Sequence, residues 1–94
     1  DGLTVDGEGN IWSARWDGNC VVQYGPDGRE IQRITFPARK VSSVTFGGTD
    51  LTDMYVTTAH AGLDLAQEGE GAGALFRVRG AAIGVPEFYS RVKL

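Results

Sequence analysis

An all-β, antiparallel fold built from β-propeller blades is predicted by three features of the sequence. Residues 1–42 and 43–78 read as two passes through one pattern, in which Trp12 and Tyr55 lie 43 positions apart. Short runs of alternating apolar residues recur between clusters of glycine, aspartate and asparagine, as in strands joined by tight turns. Helical spacing of apolar residues is nearly absent. A repeat of about 40–45 residues with several short strands is typical of a propeller blade.

The first pass, residues 1–42, is predicted to form a complete blade. Its alternating runs predict strands at Leu3–Val5, Ile11–Arg15, Cys20–Tyr24 and Glu30–Thr35. The Pro-Asp-Gly order at 26–28 suits a tight turn. Pro37 marks the crossing to the next pass, because proline cannot donate a hydrogen bond to a sheet. Four antiparallel strands joined by short turns make one blade.

The second pass, residues 43–78, is predicted to be one strand short. Strands are expected at 44–46, 54–58 and 74–78, with a loop rich in glycine and charge at 59–73. Residues 79–94 contain two glycines and a proline and are predicted to form an irregular tail. The chain is therefore expected to contain about two blades, the second incomplete.

Composition limits the classes of partner and compartment. The net charge of −3 and the pI near 4.9 give no electrostatic reason to expect nucleic acid or an anionic membrane as a partner. Apolar runs are only a few residues long, so no membrane span is predicted. No secretory leader is expected from the residues before the first strand, and Cys20 has no second cysteine in the sequence with which to form a disulfide. These features favour a cytoplasmic protein.

Several short motifs in a fixed order carry a family resemblance. They are DGLTVD at 1–6, EGNIW at 8–12, VQYGPDG at 22–28, FGG at 46–48, MYVTTA at 54–59 and GALFRV at 73–78. Over residues 1–78 the chain thereby resembles the senescence-marker-protein, gluconolactonase and luciferin-regenerating (SMP-30-like) family. The resemblance implies a six-bladed propeller, of which this chain would be the C-terminal third.

The same resemblance implies a divalent-metal-dependent sugar-lactone hydrolase. Family members hold one cation, often calcium or zinc, on the propeller axis, and the aspartate of the family's DG motif matches Asp1. Asp1 is thus expected to be a metal ligand and the catalytic base, with a metal-activated water attacking the lactone carbonyl. The family's other ligands, a glutamate and an asparagine, and its substrate-contacting arginine and asparagine have no counterpart in these 94 residues.

Strand alternation predicts that Asp1, the 15–19 turn and the 59–73 loop share one face. Arg15 and His60 are the candidate rim residues of a pocket on that face. The plainer interpretation of His60, a solvent-exposed loop side chain, is favoured. The carboxylates in the same loop, Asp64, Glu68 and Glu70, lack the order of an EF-hand and are expected to form a solvated acidic loop.

Other polar and aromatic residues are expected to serve the fold. A turn on the opposite face contains Asp6, Glu8 and Asn10, which are expected to be surface residues. Cys20 is expected to be a small apolar side chain rather than a nucleophile. Packing between blades is expected of the aromatic residues Trp12, Trp16, Tyr24, Phe46, Tyr55 and Phe76.

The sequence leaves two classes of function open. In the first, the chain is part of a lactonase that is active only with the N-terminal blades of a complete propeller. In the second, it is a non-catalytic module that self-assembles, since three copies of a two-blade chain would supply six blades and bring three Asp1 carboxylates to the axis. A third interpretation is an inactive fragment whose exposed strand edges pair opportunistically.

Overall fold

Strands dominate the part of the chain described by the computed structural model, residues 2–48, 51–60, 62, 64–80, 82 and 84. In chain order the elements are β1 (Leu3–Val5), β2 (Ile11–Arg15), β3 (Cys20–Tyr24), β4 (Glu30–Thr35), β5 (Lys40–Gly47), β6 (Asp53–Ala59), α1 (Leu65–Glu68) and β7 (Leu75–Arg79). They form a four-stranded sheet, β1-β2-β3-β4, and a three-stranded sheet, β5-β6-β7, with antiparallel pairing throughout. The predicted all-β antiparallel fold is confirmed.

Tight turns between strands use residues that tolerate a left-handed backbone. Asp17 and Asn19, in the β2–β3 turn, have φ angles of 65° and 59°, which aspartate and asparagine adopt more readily than other side chains. Gly28 has a φ of 84° and donates its N–H to the carbonyl of Gly25 at 2.9 Å. These turns reverse the chain within a few residues and so keep successive strands adjacent in the sheet.

One hydrophobic core lies between the two sheets. Its fully or nearly fully buried members are Trp12, Ala14, Val21, Phe36, Val41, Val44, Met54 and Val56. The indole of Trp12 meets the ring of Phe46 edge to face, with centroids 6.0 Å apart. Trp16 does not join this core, because it lies in the β2–β3 turn and is 44% exposed. Trp16 instead contacts the second sheet through Lys40 of β5, whose ammonium lies over its ring.

The first strands of the two sheets approach each other closely at Gly2. Its N–H donates to the carbonyl of Ser42 at 3.0 Å, and its own carbonyl accepts from the N–H of Ala14 at 2.9 Å. A Cβ on Gly2 would lie 2.9 Å from the Cα of Ser43, so a side chain does not fit. A glycine here allows the two sheets to pack with their first strands side by side.

Two details of the second sheet differ from the sequence prediction. β5 begins at Lys40, earlier than the predicted 44–46 strand, because Lys40 and Val41 continue to pair with Ala59 and Thr58 beyond a bulge. The predicted 59–73 loop contains the one-turn helix α1. Asp64 caps this helix, since its side-chain oxygen accepts the N–H of Gln67 at 3.0 Å.

The segment after β7 crosses towards the first sheet. Gly84 pairs with Asp6 in an isolated antiparallel bridge, and its N–H donates to the carbonyl of Leu51 at 2.8 Å. An added Cβ on Gly84 would overlap the side chain of Phe46, because it would lie only 2.8 Å from the Phe46 Cγ. Most of the predicted irregular tail, residues 85–94, lies outside the described residues, and the predicted blade boundaries stay predictions.

Candidate functional site

Three connecting segments meet on one face of the molecule, here called the upper face. They are the β2–β3 turn (16–19), the β4–β5 connection (36–39) and the β6–β7 loop (60–74). The N–H of Asn19 donates to the carbonyl of Arg39 at 3.1 Å, and the N–H of Arg39 donates to the carbonyl of Glu68 at 2.7 Å. These bonds join all three segments. The turn and the loop that the sequence predicts to share a face therefore do so.

A buried carboxylate, Glu68, lies at the centre of this face. Its side chain is 0% exposed, and Oε1 lies 3.2 Å from the ammonium of Lys40. Its other oxygen, Oε2, lies 3.1 Å from Nε2 of His60. The prediction of a solvated acidic loop was therefore wrong for Glu68. The end of α1 directs this side chain inwards, where two nitrogen groups replace the water that a carboxylate otherwise requires.

Lys40 connects Glu68 to the turn of the first sheet. Its ammonium lies 3.2 Å from Oδ1 of Asp17 and 5.8 Å from the centre of the Trp16 ring. The same Asp17 oxygen lies 3.2 Å from Nε of Arg39. The left-handed backbone of Asp17 thus holds a carboxylate where two cations converge. We call Asp17, Arg39, Lys40, His60 and Glu68 the ionic cluster.

Backbone contacts fix the β6–β7 loop against the β4–β5 connection. The N–H of Gly71 donates to the carbonyl of Pro37 at 2.7 Å. Gly69 has a φ of 95°, and an added Cβ there would lie 2.5 Å from the Pro37 oxygen. Only glycine permits so close an approach with that backbone angle. The loop is therefore held by main-chain bonds as well as by Glu68.

Of the three site residues that the sequence predicts, Arg15 and His60 are among the described residues. Asp1 lies outside the described residues, although its neighbour Gly2 is bonded to Ser42, two positions after Lys40. The guanidinium of Arg15 lies 5.4 Å from the centre of the Tyr24 ring and donates to the Tyr24 hydroxyl. It therefore turns along the outer surface of the first sheet. His60 is exposed but belongs to the ionic cluster.

A second buried carboxylate, Asp6, lies on the opposite, lower face. It is 2% exposed and accepts hydrogen bonds from the N–H groups of Glu8 and Asn10, the Asn10 amide and the Trp12 indole, at 2.9–3.1 Å. Burial by itself would raise the pKa of Asp6, but the bonds from Trp12, Asn10 and Glu8 outweigh it and lower the pKa. The expectation of surface residues was therefore wrong for Asp6 and for Asn10, which is also buried.

The described residues do not themselves form a metal site. Within them, no group of three or more His, Cys, Asp or Glu side chains is arranged to hold a cation. The carboxylates of the upper face, Asp17 and Glu68, instead face Arg39, Lys40 and His60, and nearby positive charge disfavours a divalent cation. Cys20 is buried and has a free thiol, as expected of an apolar side chain. No helix in the described part of the chain is long and apolar enough to cross a membrane.

Sequence reasoning missed the main features of both faces. A local signal exists for Asp6, because Asp6 and Asn10 frame a turn with Gly9 at a φ of 82°, directly before the buried Trp12. A partial signal exists for Glu68, because Asp64 followed by Gln67 is a helix-start pattern. Nothing local indicates Lys40, whose partners lie 23 residues before and 28 residues after it in the sequence.

Comparisons with known sequences agree with the resemblance of the motifs. A family model described as SMP-30/Gluconolactonase/LRE-like region matches residues 1–60. Pentonolactonase XacC of Haloferax volcanii is 54% identical over a 100-residue alignment that covers 100% of this chain and 34% of that protein. Regucalcin of Danio rerio is 38% identical over 93 residues, or 94% of this chain and 31% of that protein. The chain thus spans about a third of the length of these relatives.

Solved structures show the same fold over the matched region. A calcium-binding protein, regucalcin, from Agrobacterium tumefaciens superposes with a TM-score of 0.77 and 30% identity, over 89% of this chain and 30% of that one. A luciferin-regenerating enzyme superposes with a TM-score of 0.74 and 29% identity, over 90% of this chain and 29% of that one.

Proposed function

Because the chain belongs to the SMP-30/Gluconolactonase/LRE-like family, we propose that it forms one part of the site of a sugar-lactone hydrolase. The observation that carries the proposal is the 54% identity to a pentonolactonase along the whole chain. The upper face supports it, because three segments from two sheets converge there and are held in one arrangement by ion pairs and main-chain bonds. Fixed geometry of this kind favours a site that must orient a small substrate.

We further propose that Asp1 contributes one carboxylate ligand to a divalent cation, calcium or zinc. The match of Asp1 to the family's DG motif supports this role, as does the description of a similar structure as a calcium-binding protein. The other ligands would come from outside the described residues, because these offer no cation cage. When bound, such a cation lowers the pKa of a water molecule and polarises a carbonyl group.

A chimera tests the lactonase proposal. Residues 1–94 would replace the matching third of the Haloferax volcanii pentonolactonase, and hydrolysis of a pentonolactone would be followed with and without chelator. We expect a folded chimera with activity that chelation removes and calcium or zinc restores. Asp1→Asn should lower kcat/KM by about 100-fold or more, because it removes a metal ligand and the base.

The matched control is Asp27→Asn, the same change in the exposed β3–β4 turn, which should leave kcat/KM within about twofold. A folded chimera without lactonase activity would overturn the proposal. So would an Asp1→Asn chimera that is as active as its parent.

A further inference from the structure

Glu68 differs from the other buried carboxylate in where its partners come from. Asp6 accepts its shortest bonds from residues within six positions of it, so it completes a local turn. Glu68 instead faces Lys40, which begins β5, and His60, which follows β6. Its backbone carbonyl also accepts the N–H of Arg39. Glu68 therefore joins elements that are distant in sequence.

A buried ion pair is an inefficient way to stabilise a fold. Removing two charges from water costs free energy that their attraction often fails to recover, and apolar side chains of similar volume commonly stabilise as well or better. The core of this chain is made of such apolar side chains. The ionic cluster instead lies on the upper face, where the segments to be held are polar loops. Charges there fix geometry, because the charge-assisted hydrogen bonds between them are short and directional.

We propose that Glu68 is a positioning residue, which holds the β6–β7 loop over the junction of the two sheets by binding Lys40 and His60 at once. The loop so fixed forms one wall of the site that receives the lactone. This second step rests on the proposed function; the first, the holding of the loop, does not. Glu68 is not assigned contact with substrate.

Two main-chain hydrogen bonds report directly on the loop. They run from Arg39 to Glu68 and from Gly71 to Pro37. In the 94-residue chain, Glu68→Gln should raise hydrogen exchange at the Arg39 and Gly71 amides by about tenfold or more, because the amide keeps the shape of the side chain but loses its charge. Exchange at Glu8 and Asn10, in the Asp6 turn, should change by less than about twofold.

Glu70→Gln is the matched control, since it makes the same change two positions further along the same loop. It should leave exchange at all four amides unchanged. Equal exchange in Glu68→Gln and the parent would overturn the proposal. So would a uniform increase across the chain, which would show that Glu68 only stabilises the fold.

An apolar replacement separates positioning from stability even if Glu68→Gln fails to fold. The double variant Lys40→Met and Glu68→Leu removes both charges of the buried pair, and Asp17 keeps Arg39 at 3.2 Å. We expect melting near that of the parent but faster exchange at Gly71. In the pentonolactonase chimera the same variant should raise KM by about fivefold or more with kcat within about twofold.

The exchange measurement and the activity measurement test different parts of the proposal. Parent-like exchange at Gly71 in the double variant would overturn the positioning role, whatever the activity. Faster exchange with unchanged KM would overturn the assignment of the loop as a wall of the site. An inactive parent chimera contradicts the lactonase proposal alone, because the exchange measurement requires no substrate.

Discussion

Two buried carboxylates with different kinds of partner organise this chain at the residue scale. Asp6 accepts its shortest hydrogen bonds from N–H donors of its own turn and of β2. Glu68 faces Lys40 of β5, 28 residues away, and His60 at the start of its own loop. Only the first kind leaves a pattern in a short stretch of sequence, because its donors lie at fixed small offsets. The difference explains why a buried carboxylate completes a turn on one face and joins two sheets on the other.

The hydrogen bonds to Asp6 predict an acid-sensitive contribution to stability. They lower its pKa in the folded chain below the ordinary value of 3.8, so the stabilisation is complete above that value and is lost as the pH falls through the folded pKa. Asp6→Asn should lower the free energy of unfolding at pH 7 by about 3 kcal/mol, because a charged acceptor of four short bonds is lost. Urea unfolding at pH 7 and at pH 3 measures both effects.

Glu8→Gln is the control for Asp6→Asn, since Glu8 is exposed in the same turn. It should stay within about 0.5 kcal/mol of the parent. The variant Asp6→Asn should also lose less stability than the parent between the two pH values. An Asp6→Asn chain with the parent's pH dependence would contradict this explanation.

At the scale of elements, the strands follow from local pattern and the helix does not. The strands of the first sheet coincide with the predicted runs of alternating residues and turn signals. β5 extends beyond its predicted run, because Lys40 and Val41 pair with β6 across a bulge. α1 is a single turn, too short to be stable alone. It exists because Asp64 caps it and Glu68 is bound at its end.

The close contact between Gly84 and Phe46 leaves no space for a side chain at position 84, in the segment after β7. Gly84→Ala should lower the free energy of unfolding by about 2 kcal/mol, because the new methyl group would overlap Phe46. Hydrogen exchange at the Gly84 amide, whose N–H is bonded to the carbonyl of Leu51, should also become faster.

The substitution Gly28→Ala separates the effect of steric overlap from the effect of backbone strain. A Cβ at Gly28 meets nothing within 4 Å, but its φ of 84° disfavours any side chain. We expect a loss of about 1 kcal/mol there, without faster exchange at Gly84. Equal effects of the two substitutions on Gly84 exchange would contradict the steric explanation.

At the scale of the whole molecule, one surface of the first sheet is apolar and exposed. Leu3, Val5 and Ile11 are 65%, 49% and 39% exposed, and the register places them on one side, with Val5 opposite Ile11 and Leu3 opposite Ser13. β7 is the edge of the second sheet in the described part of the chain. Exposed apolar surface and strand edges both favour association. We propose that this surface is covered either by another blade of a propeller or by a second copy of this chain.

Native mass by light scattering coupled to size exclusion distinguishes these partners. A trimer that calcium tightens is the outcome expected of a self-assembled six-blade ring with Asp1 on its axis. A monomer, or a polydisperse species indifferent to calcium, is expected if the surface is covered by N-terminal blades. Val5→Lys should weaken any association through this surface, because it places a charge in the apolar patch. Leu75→Lys, on the exposed outer surface of the second sheet, tests whether association occurs through that surface instead.

The sequence by itself determined the features that depend on near neighbours along the chain. Alternation and turn residues predicted an all-β antiparallel fold, and the ordered motifs predicted the family that the comparisons confirm. Only the tertiary structure decided which charges are buried. Asp17, Lys40 and Glu68 come from three segments with no shared periodicity, and they meet because two sheets pack through a common core. Burial of a charge depends on what lies across from it in space, which no local pattern specifies.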